Sequence, residues 1–178
     1  MKLILILSFS LLLQTPNLLG QVNDTINKDT ISNPESYPIP ETIDADLKMI
    51  TPPEGFVSSD QFLGYIHPNL GSAILMMMIE NTSYLILKQG MTPDFFEENQ
   101  LIKLSEENLT TADGTKGVIY KCSFHTQETD FIRYIVYAGD LNKTLWLNIT
   151  YPKMIEELMG PEIVKSFQSV TINPSPSK

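Results

Sequence analysis

The sequence predicts an α+β fold in which an antiparallel β-sheet is combined with a few helices. The first observation is a series of apolar-polar alternating runs after residue 116, separated by short polar turns. The second is a pair of segments with helix-start signals or an apolar stripe at helical spacing. The third is their order along the chain, which is strands, helix, strands, helix. This order is typical of an α+β domain built on an antiparallel meander.

The N-terminal residues 1–20 have the pattern of a secretory signal peptide. Lys2 provides a positive start, the apolar run Leu3–Leu13 follows, and Pro16 precedes the small Gly20. We expect cleavage between Gly20 and Gln21, and therefore an exported protein that is periplasmic or secreted. The run is shorter than the ~20 apolar residues of a membrane-spanning helix. The residue directly after the cleavage point is Gln21 and not the cysteine that lipid attachment requires, so we expect no stable membrane anchor after cleavage.

Composition predicts three further segments after the signal peptide. Residues 21–43 are rich in Asn, Asp, Thr, Ser and Pro without a helix or strand period, which predicts a flexible segment. Residues 44–172 are expected to form a single globular domain, and residues 173–178 a disordered tail. The formal net charge is −9. An acidic exported protein is repelled by phosphate, which argues against nucleic acid and anionic lipid as partners.

Within the domain, turn residues separate the predicted strands. The sequence 47–50 leads into a turn forced by two prolines and a glycine, and 61–68 is rich in strand formers. The segment 115–125 places Val118, Tyr120, Cys122 and Phe124 on one side of a strand. Two further strands, 130–140 and 144–152, follow after short polar turns. We therefore expect Cys122, the single cysteine, to be a buried and unreactive thiol.

Two helices are predicted from their boundaries and spacing. Thr92 is a cap, followed by Pro93 at the first helical position. The closing segment 152–170 carries apolar residues at 155, 158, 159, 163, 164 and 167, which predicts one apolar stripe. The pair Gly160-Pro161 is expected to bend or split this helix.

The segment Ser72–Gly90 begins with seven unbroken apolar residues and allows two interpretations. It could be one helix, or a buried strand 73–79 followed by a short helix around 83–89, because periodicity alone does not separate them. A copper site would need the thioethers of Met76, Met77 and Met78 to converge. Neighbouring residues on a strand or a helix point in different directions. We therefore expect these methionines to be core packing.

The order of these elements resembles the PsbP-like superfamily of exported proteins. The motifs that carry the resemblance are the Pro-Pro-x-Gly-Phe turn at Pro52–Phe56, the run ending at Gly139-Asp140, and Tyr151-Pro152 before the last helix. The resemblance covers about residues 47–172. It implies an antiparallel sheet covered by helices on both faces, an α/β/α sandwich, and favours the strand for 73–79. It also implies binding or assembly of other proteins, usually without catalysis.

The sequence motifs predict no catalytic, cofactor-binding or metal-binding residues. The chain has no G-x-S-x-G, H-E-x-x-H or phosphate-binding glycine loop. His125 is expected to be solvated. Arg133, the sole arginine, is expected either to pair across strands or to contact an anion, and Trp146 to be core under a helix or a contact anchor if exposed. The first partner-binding candidate is the turn 66–71, where Tyr65, His67 and Asn69 provide polar groups beside an aromatic ring.

These observations predict an exported, non-enzymatic accessory or binding protein of the cell envelope, whose partner is another envelope or secreted protein. Two alternatives stay open. The protein could bind a small ligand or a metal in the envelope, or it could be a hydrolase.

Overall fold

The computed structural model describes residues 49–126 and 128–172. The predicted signal peptide with its cleavage site, the flexible segment and the C-terminal tail lie outside the described residues. The strands are β1 (Val57–Ser58), β2 (Gly64–His67), β3 (Ser72–Glu80), β4 (Ile102–Thr110), β5 (Lys116–Thr126), β6 (Thr129–Gly139) and β7 (Lys143–Pro152). The helices are α1 (Tyr84–Gly90), α2 (Pro93–Glu98) and α3 (Glu156–Gln168), and the 3-10 turn Lys153–Ile155 leads into α3.

All seven strands form one antiparallel sheet in the order β1-β2-β3-β7-β6-β5-β4. The mixed α+β class predicted from the sequence is confirmed. The sheet is not a single meander, because β3 pairs with β7 and the chain then continues through α1 and α2 to β4 at the far edge. The register explains the pairing, since Ile74 and Met76 of β3 lie opposite Ile149 and Leu147 of β7, and these four side chains are buried together.

The apolar run that allowed two interpretations is a strand followed by a helix. Ser72–Glu80 forms β3, and the side chain of Ser83 caps α1 by accepting a hydrogen bond from the backbone N–H of Leu85. Met76 is buried, whereas the next residue, Met77, is 41% exposed. Consecutive strand residues point to opposite sides of the sheet. The three thioethers therefore do not converge on one site.

The described domain has two clusters of buried apolar side chains. The first contains Leu145, Leu147 and Ile149 of β7 together with Ile163 and Phe167 of α3. Burying such side chains removes apolar surface from water at roughly 25 cal/mol per Å². This cluster also contains Met49 and Ile50, which are buried without belonging to the strand that the segment 47–50 suggested.

The second cluster is formed by strand residues that alternate with those of the first cluster and therefore point to the other side of the sheet. It contains Val118, Tyr120 and Cys122 of β5, together with Phe96 of α2 and Met91 beside it. Phe124 is partly buried against the same cluster. The predicted common side of these β5 residues is therefore confirmed, and Cys122 is fully buried.

The closing helix differs from its prediction in two ways. It continues through Pro161 without splitting, because Gly160 has no Cβ to clash with the proline ring that follows it. Leu158, 69% exposed, and Val164, 41% exposed, do not join the buried stripe. Met159, Ile163 and Phe167 are sufficient to form it.

The strand β4 was not predicted from the sequence. Among the described strands it pairs only with β5, and it carries a bulge between Lys103 and Ser105 and leaves Ile102 66% exposed. An edge strand does not need to bury both sides, so its apolar pattern is weak and charged side chains are favoured. Among residues 49–126 and 128–172, no helix is both long and apolar enough to cross a bilayer.

Candidate interaction surface

The predicted partner-binding residues lie in two different environments. Tyr65 and His67 belong to β2, on the same side of the strand, and Asn69 is exposed in the turn that follows. The ring of His67 contacts Phe56 edge-on, with ring centroids 5.4 Å apart. Tyr65 is partly buried against the first core cluster. The structure therefore packs Tyr65 and His67 against the domain and leaves Asn69 in solvent.

His67 is further held by its close backbone neighbours. A Cβ added at Gly55 would lie 2.5 Å from Nε2 of His67, so the glycine makes room for the ring. Nδ1 of His67 lies 3.3 Å from the backbone nitrogen of Asn69, whose N–H it accepts. These contacts are those of a histidine that stabilises its turn.

A larger exposed area lies on the sheet side that also contributes to the second cluster. On β7, Leu145, Leu147 and Ile149 are fully buried, whereas the alternate residues Trp146 and Asn148 are only half-buried. The difference arises because the main contacts of α1 and α2 are with β4, β5 and β6. We call this area the open sheet surface and define it by Val57, Ile66, Ala73, Leu75, Met77, Arg133, Trp146, Asn148 and Thr150.

The strand register makes these residues neighbours. Thr150 of β7 lies between Arg133 of β6 and Ala73 of β3, and Ala73 is in turn paired with Ile66 of β2. In the same way Trp146 is paired with Met77. Paired residues point to the same side of a sheet, so these side chains form one continuous surface.

Arg133 is the only charged member of the open sheet surface. Its Nε donates a hydrogen bond to Oγ1 of Thr150, at 3.2 Å, and its guanidinium lies 4.4 Å from the ring centroid of Phe124. Phe124 is stacked on Phe131, with centroids 5.3 Å apart and planes inclined by 15°. Burial lowers the pKa of Arg133, although a guanidinium keeps its charge at any physiological pH.

The remaining titratable residues singled out from the sequence make local contacts. Nδ1 of His125 lies 2.9 Å from a carboxylate oxygen of Asp130, and both side chains are largely exposed at the β5–β6 hairpin. Within the described part of the chain, no group of three or more His, Cys, Asp or Glu side chains could hold a metal ion. The sequence prediction that no residue binds a metal stays a prediction.

An open depression of about 400 Å³ lies beside the start of α1, at the end of the sheet opposite the β5–β6 hairpin. Its polar lining includes Tyr84, Lys116 and Asp140. The carboxylate of Asp140 accepts the backbone N–H groups of Asn142 and Lys143, which lowers its pKa. This carboxylate therefore stabilises the β6–β7 turn.

The sequence identifies Arg133 and Trp146 individually, but its local patterns do not predict the surface that unites them with Met77. Met77 was interpreted as core packing together with its neighbours. A usable signal exists in β7, where the side alternate to Leu145 and Leu147 carries Asn148 and Thr150. Polar residues at the centre of a strand indicate a side that is not fully buried.

Comparisons with known proteins place the fold. No protein-family model matches the chain, and no curated protein sequence matches it. The solved structure of LpqN, involved in cell envelope biogenesis of Mycobacterium tuberculosis, is similar with a TM-score of 0.52 and 13% identity. The match covers 70% of this chain and 82% of LpqN.

Two other solved structures are similar at lower scores. A Pseudomonas aeruginosa protein of unknown function, PA94, matches with a TM-score of 0.45 and 10% identity, over 71% of this chain and 99% of PA94. A Bacteroides thetaiotaomicron protein matches with a TM-score of 0.47 and 12% identity, over 72% of this chain and 46% of the other. The similarity to LpqN shows a common fold.

Proposed function

We propose that this protein is an exported, non-enzymatic accessory protein of the cell envelope that binds another envelope or secreted protein. The predicted signal peptide supports export. The fold similarity to LpqN supports a role in the envelope, because LpqN is itself involved in envelope biogenesis. The PsbP-like resemblance supports binding without catalysis.

The core clusters support the finer fold assignment that belongs to this proposal, a PsbP-like α/β/α sandwich. Phe167 of α3 packs with β7 residues in the first cluster, while Phe96 of α2 packs with the alternate side of the sheet in the second. In the proposed sandwich, helices cover both sides of the sheet, with α1 and α2 covering only part of theirs.

The observation that carries the binding role is the open sheet surface. Val57, Ile66 and Met77 are 50%, 36% and 41% exposed and lie on the neighbouring strands β1, β2 and β3. Met77 is paired with the half-buried Trp146 of β7. Continuous exposed apolar surface is typical of sites that contact another macromolecule. Aromatic, methionine and arginine side chains are also the residue types enriched in protein interfaces.

Site-specific photo-crosslinking tests the proposal directly. A photoreactive amino acid replaces Met77 in the full chain, expressed in its own host, and a matched variant carries it at Met154, which is 88% exposed before α3. We expect a protein adduct in the envelope fraction from position 77 and none of the same mass from position 154. Equal adducts from both positions, or none from position 77, would contradict this use of the surface.

Export and the alternatives have separate tests. The intact mass of the exported protein should correspond to an N-terminus at or near Gln21, and a retained Met1 would contradict the localisation.

A saturable rise in unfolding temperature with a metal or small molecule would favour the small-ligand alternative. Turnover that is lost when a single Ser or His is replaced would favour the hydrolase.

A further inference from the structure

Arg133 differs from most cations of the described domain in having no carboxylate partner. Five lysines contact a carboxylate oxygen, namely Lys88, Lys103, Lys121, Lys143 and Lys165. Within residues 49–126 and 128–172, Arg133 forms no such contact although it is half-buried. A partly desolvated cation without a counter-ion is unfavourable, and an incoming anion would offset that cost.

The guanidinium is also held in place before any ligand arrives. Its Nε–H is engaged by Thr150 and one side of the group lies on the ring of Phe124. A guanidinium has five N–H donors, and the Nη groups make no hydrogen bond within the described residues. A planar group fixed in this way is suited to bind a carboxylate by donating two parallel hydrogen bonds to it.

The dimensions of the open sheet surface indicate the size of the ligand. From Arg133 the register runs through Thr150, Ala73 and Ile66 to Val57, across four strand pairs. Neighbouring strands are about 4.8 Å apart, so the surface extends for roughly 20 Å. A small anion would cover only its Arg133 end, whereas an extended polypeptide of about six residues would cover its whole length.

Polar groups at the centre of this surface favour a polypeptide over an acyl chain. Asn148 and Thr150 are half-buried on β7, where Thr150 lies between Arg133 and Ala73 and Asn148 lies between Ile135 and Leu75. The hydroxyl of Thr150 accepts the Nε–H of Arg133 and donates to Oδ1 of Asn148, at 3.4 Å, which leaves the Nδ2 group of Asn148 without a hydrogen bond among the described residues. A hydrocarbon chain would remove this group from water without offering a hydrogen bond, at a cost in free energy. A peptide carbonyl can accept that bond.

We infer that the open sheet surface binds an extended polypeptide segment that places a carboxylate against Arg133 and apolar side chains against Ile66, Leu75 and Met77. The inference rests on the proposed binding function and names the chemistry of its partner. Arg133 contacts the ligand, and Thr150 and Phe124 position it.

A random-peptide display library provides a probe that does not require the partner to be known. The full-length protein selects peptides, and the same selection is repeated with Arg133→Met and with the control Lys116→Met. Lys116 is the first residue of β5, six positions before Cys122, the residue that is paired with Arg133. We expect the wild type and the control to enrich peptides with Asp, Glu or a free C-terminal carboxylate beside apolar residues. The Arg133→Met variant should lose that acidic preference.

Binding of the selected peptides is then measured by the fluorescence of Trp146, the only tryptophan in the chain and a member of the surface. Replacing the peptide's acid by its amide should weaken binding to the wild type by at least about tenfold, and should have little effect on Arg133→Met. Circular dichroism confirms that both variants are folded.

Three results would overturn the inference. One is a library that enriches no acidic-apolar sequence, and another is an acidic preference that persists in Arg133→Met. The third is binding to phosphatidylglycerol vesicles that depends on Arg133 in the absence of peptide binding. An adduct from position 77 combined with any of these results would leave the binding function in place and remove only the inferred carboxylate-bearing polypeptide segment.

Discussion

Cys122 and Arg133 are paired across β5 and β6, so the only thiol and the only guanidinium of the chain are neighbours on one side of the sheet. Burial raises the pKa of Cys122 to about 11, while the positive charge of Arg133 acts in the opposite direction. The effect of burial is the larger one. The side chain is therefore a neutral thiol that packs with Val118 and Tyr120.

The first prediction concerns the reactivity of this thiol. Only the thiolate reacts with aromatic disulfide reagents, and both burial and the raised pKa keep its population low. At pH 8 the native protein should label at least about a hundredfold more slowly than the protein in denaturant. The release of the coloured leaving group measures both rates, and equal rates would refute a buried Cys122.

The second prediction concerns stability in alkali. The pKa of Cys122 is raised from 9.0 to about 11 on folding, so its contribution is fully present below pH 9 and is lost as the pH rises through 11. Between pH 8.5 and 10.5 this group should remove up to about 2 kcal/mol of the free energy of unfolding. Urea unfolding of the wild type and Cys122→Ala at both pH values measures it.

Tyr120 and Tyr137, whose pKa values are raised to about 12, titrate in both proteins and cancel in the comparison. The alkaline loss should therefore be smaller in Cys122→Ala. Identical losses in the two proteins would show that the thiol titrates alike in the folded and unfolded states.

Local sequence patterns were sufficient to predict the elements β5 and α2, but they were not sufficient to predict the order of the strands in the sheet. The alternation around Tyr120 and the Thr92-Pro93 cap each reflect forces between near neighbours, and both elements occur where they were predicted. The placement of β3 beside β7 depends on residues about seventy positions apart, such as Met76 and Leu147. No local signal encodes such a pairing, and this is why the sheet was expected to be a single meander.

The open sheet surface could not be predicted for the same reason, because it depends on contacts between distant parts of the chain. Arg133 could be identified as unusual because it is the sole arginine, but Met77 becomes a surface residue only where α1 and α2 leave β3 and β7 uncovered. His67 shows the reverse case. A loop residue by sequence, it is held by contacts with Gly55 and Phe56 that only the folded chain creates.

The third prediction concerns Gly64, where β2 approaches β3 closely. A Cβ at this position would lie 1.9 Å from the carbonyl oxygen of Ile74, and the φ of +149° is one that other residues rarely adopt. Gly64→Ala should therefore cost about 2–4 kcal/mol, since both steric overlap and backbone strain are introduced. Urea unfolding measures the loss.

Gly90 at the end of α1 is the matched control, because a Cβ there would meet nothing within 4 Å. Gly90→Ala should change the free energy of unfolding by less than about 1 kcal/mol. Equal effects of the two substitutions would mean that β2 can move away from β3 at little cost.

The last prediction concerns Pro161, which lies inside α3 and is exposed. Its ring removes the N–H that would bond to the carbonyl of Glu157 and crowds that carbonyl as well, so the helix is weaker there than with alanine. Pro161→Ala should raise the free energy of unfolding by about 1–3 kcal/mol, because alanine restores the hydrogen bond without disturbing the buried Ile163 and Phe167.

Pro93→Ala is the control, since Pro93 is the first residue of α2, where the missing N–H has no partner within the helix. Paired urea titrations should show stabilisation at position 161 and a change within about 0.5 kcal/mol at position 93. A Pro161→Ala protein no more stable than the wild type would show that α3 does not depend on an unbroken hydrogen-bond ladder at Glu157.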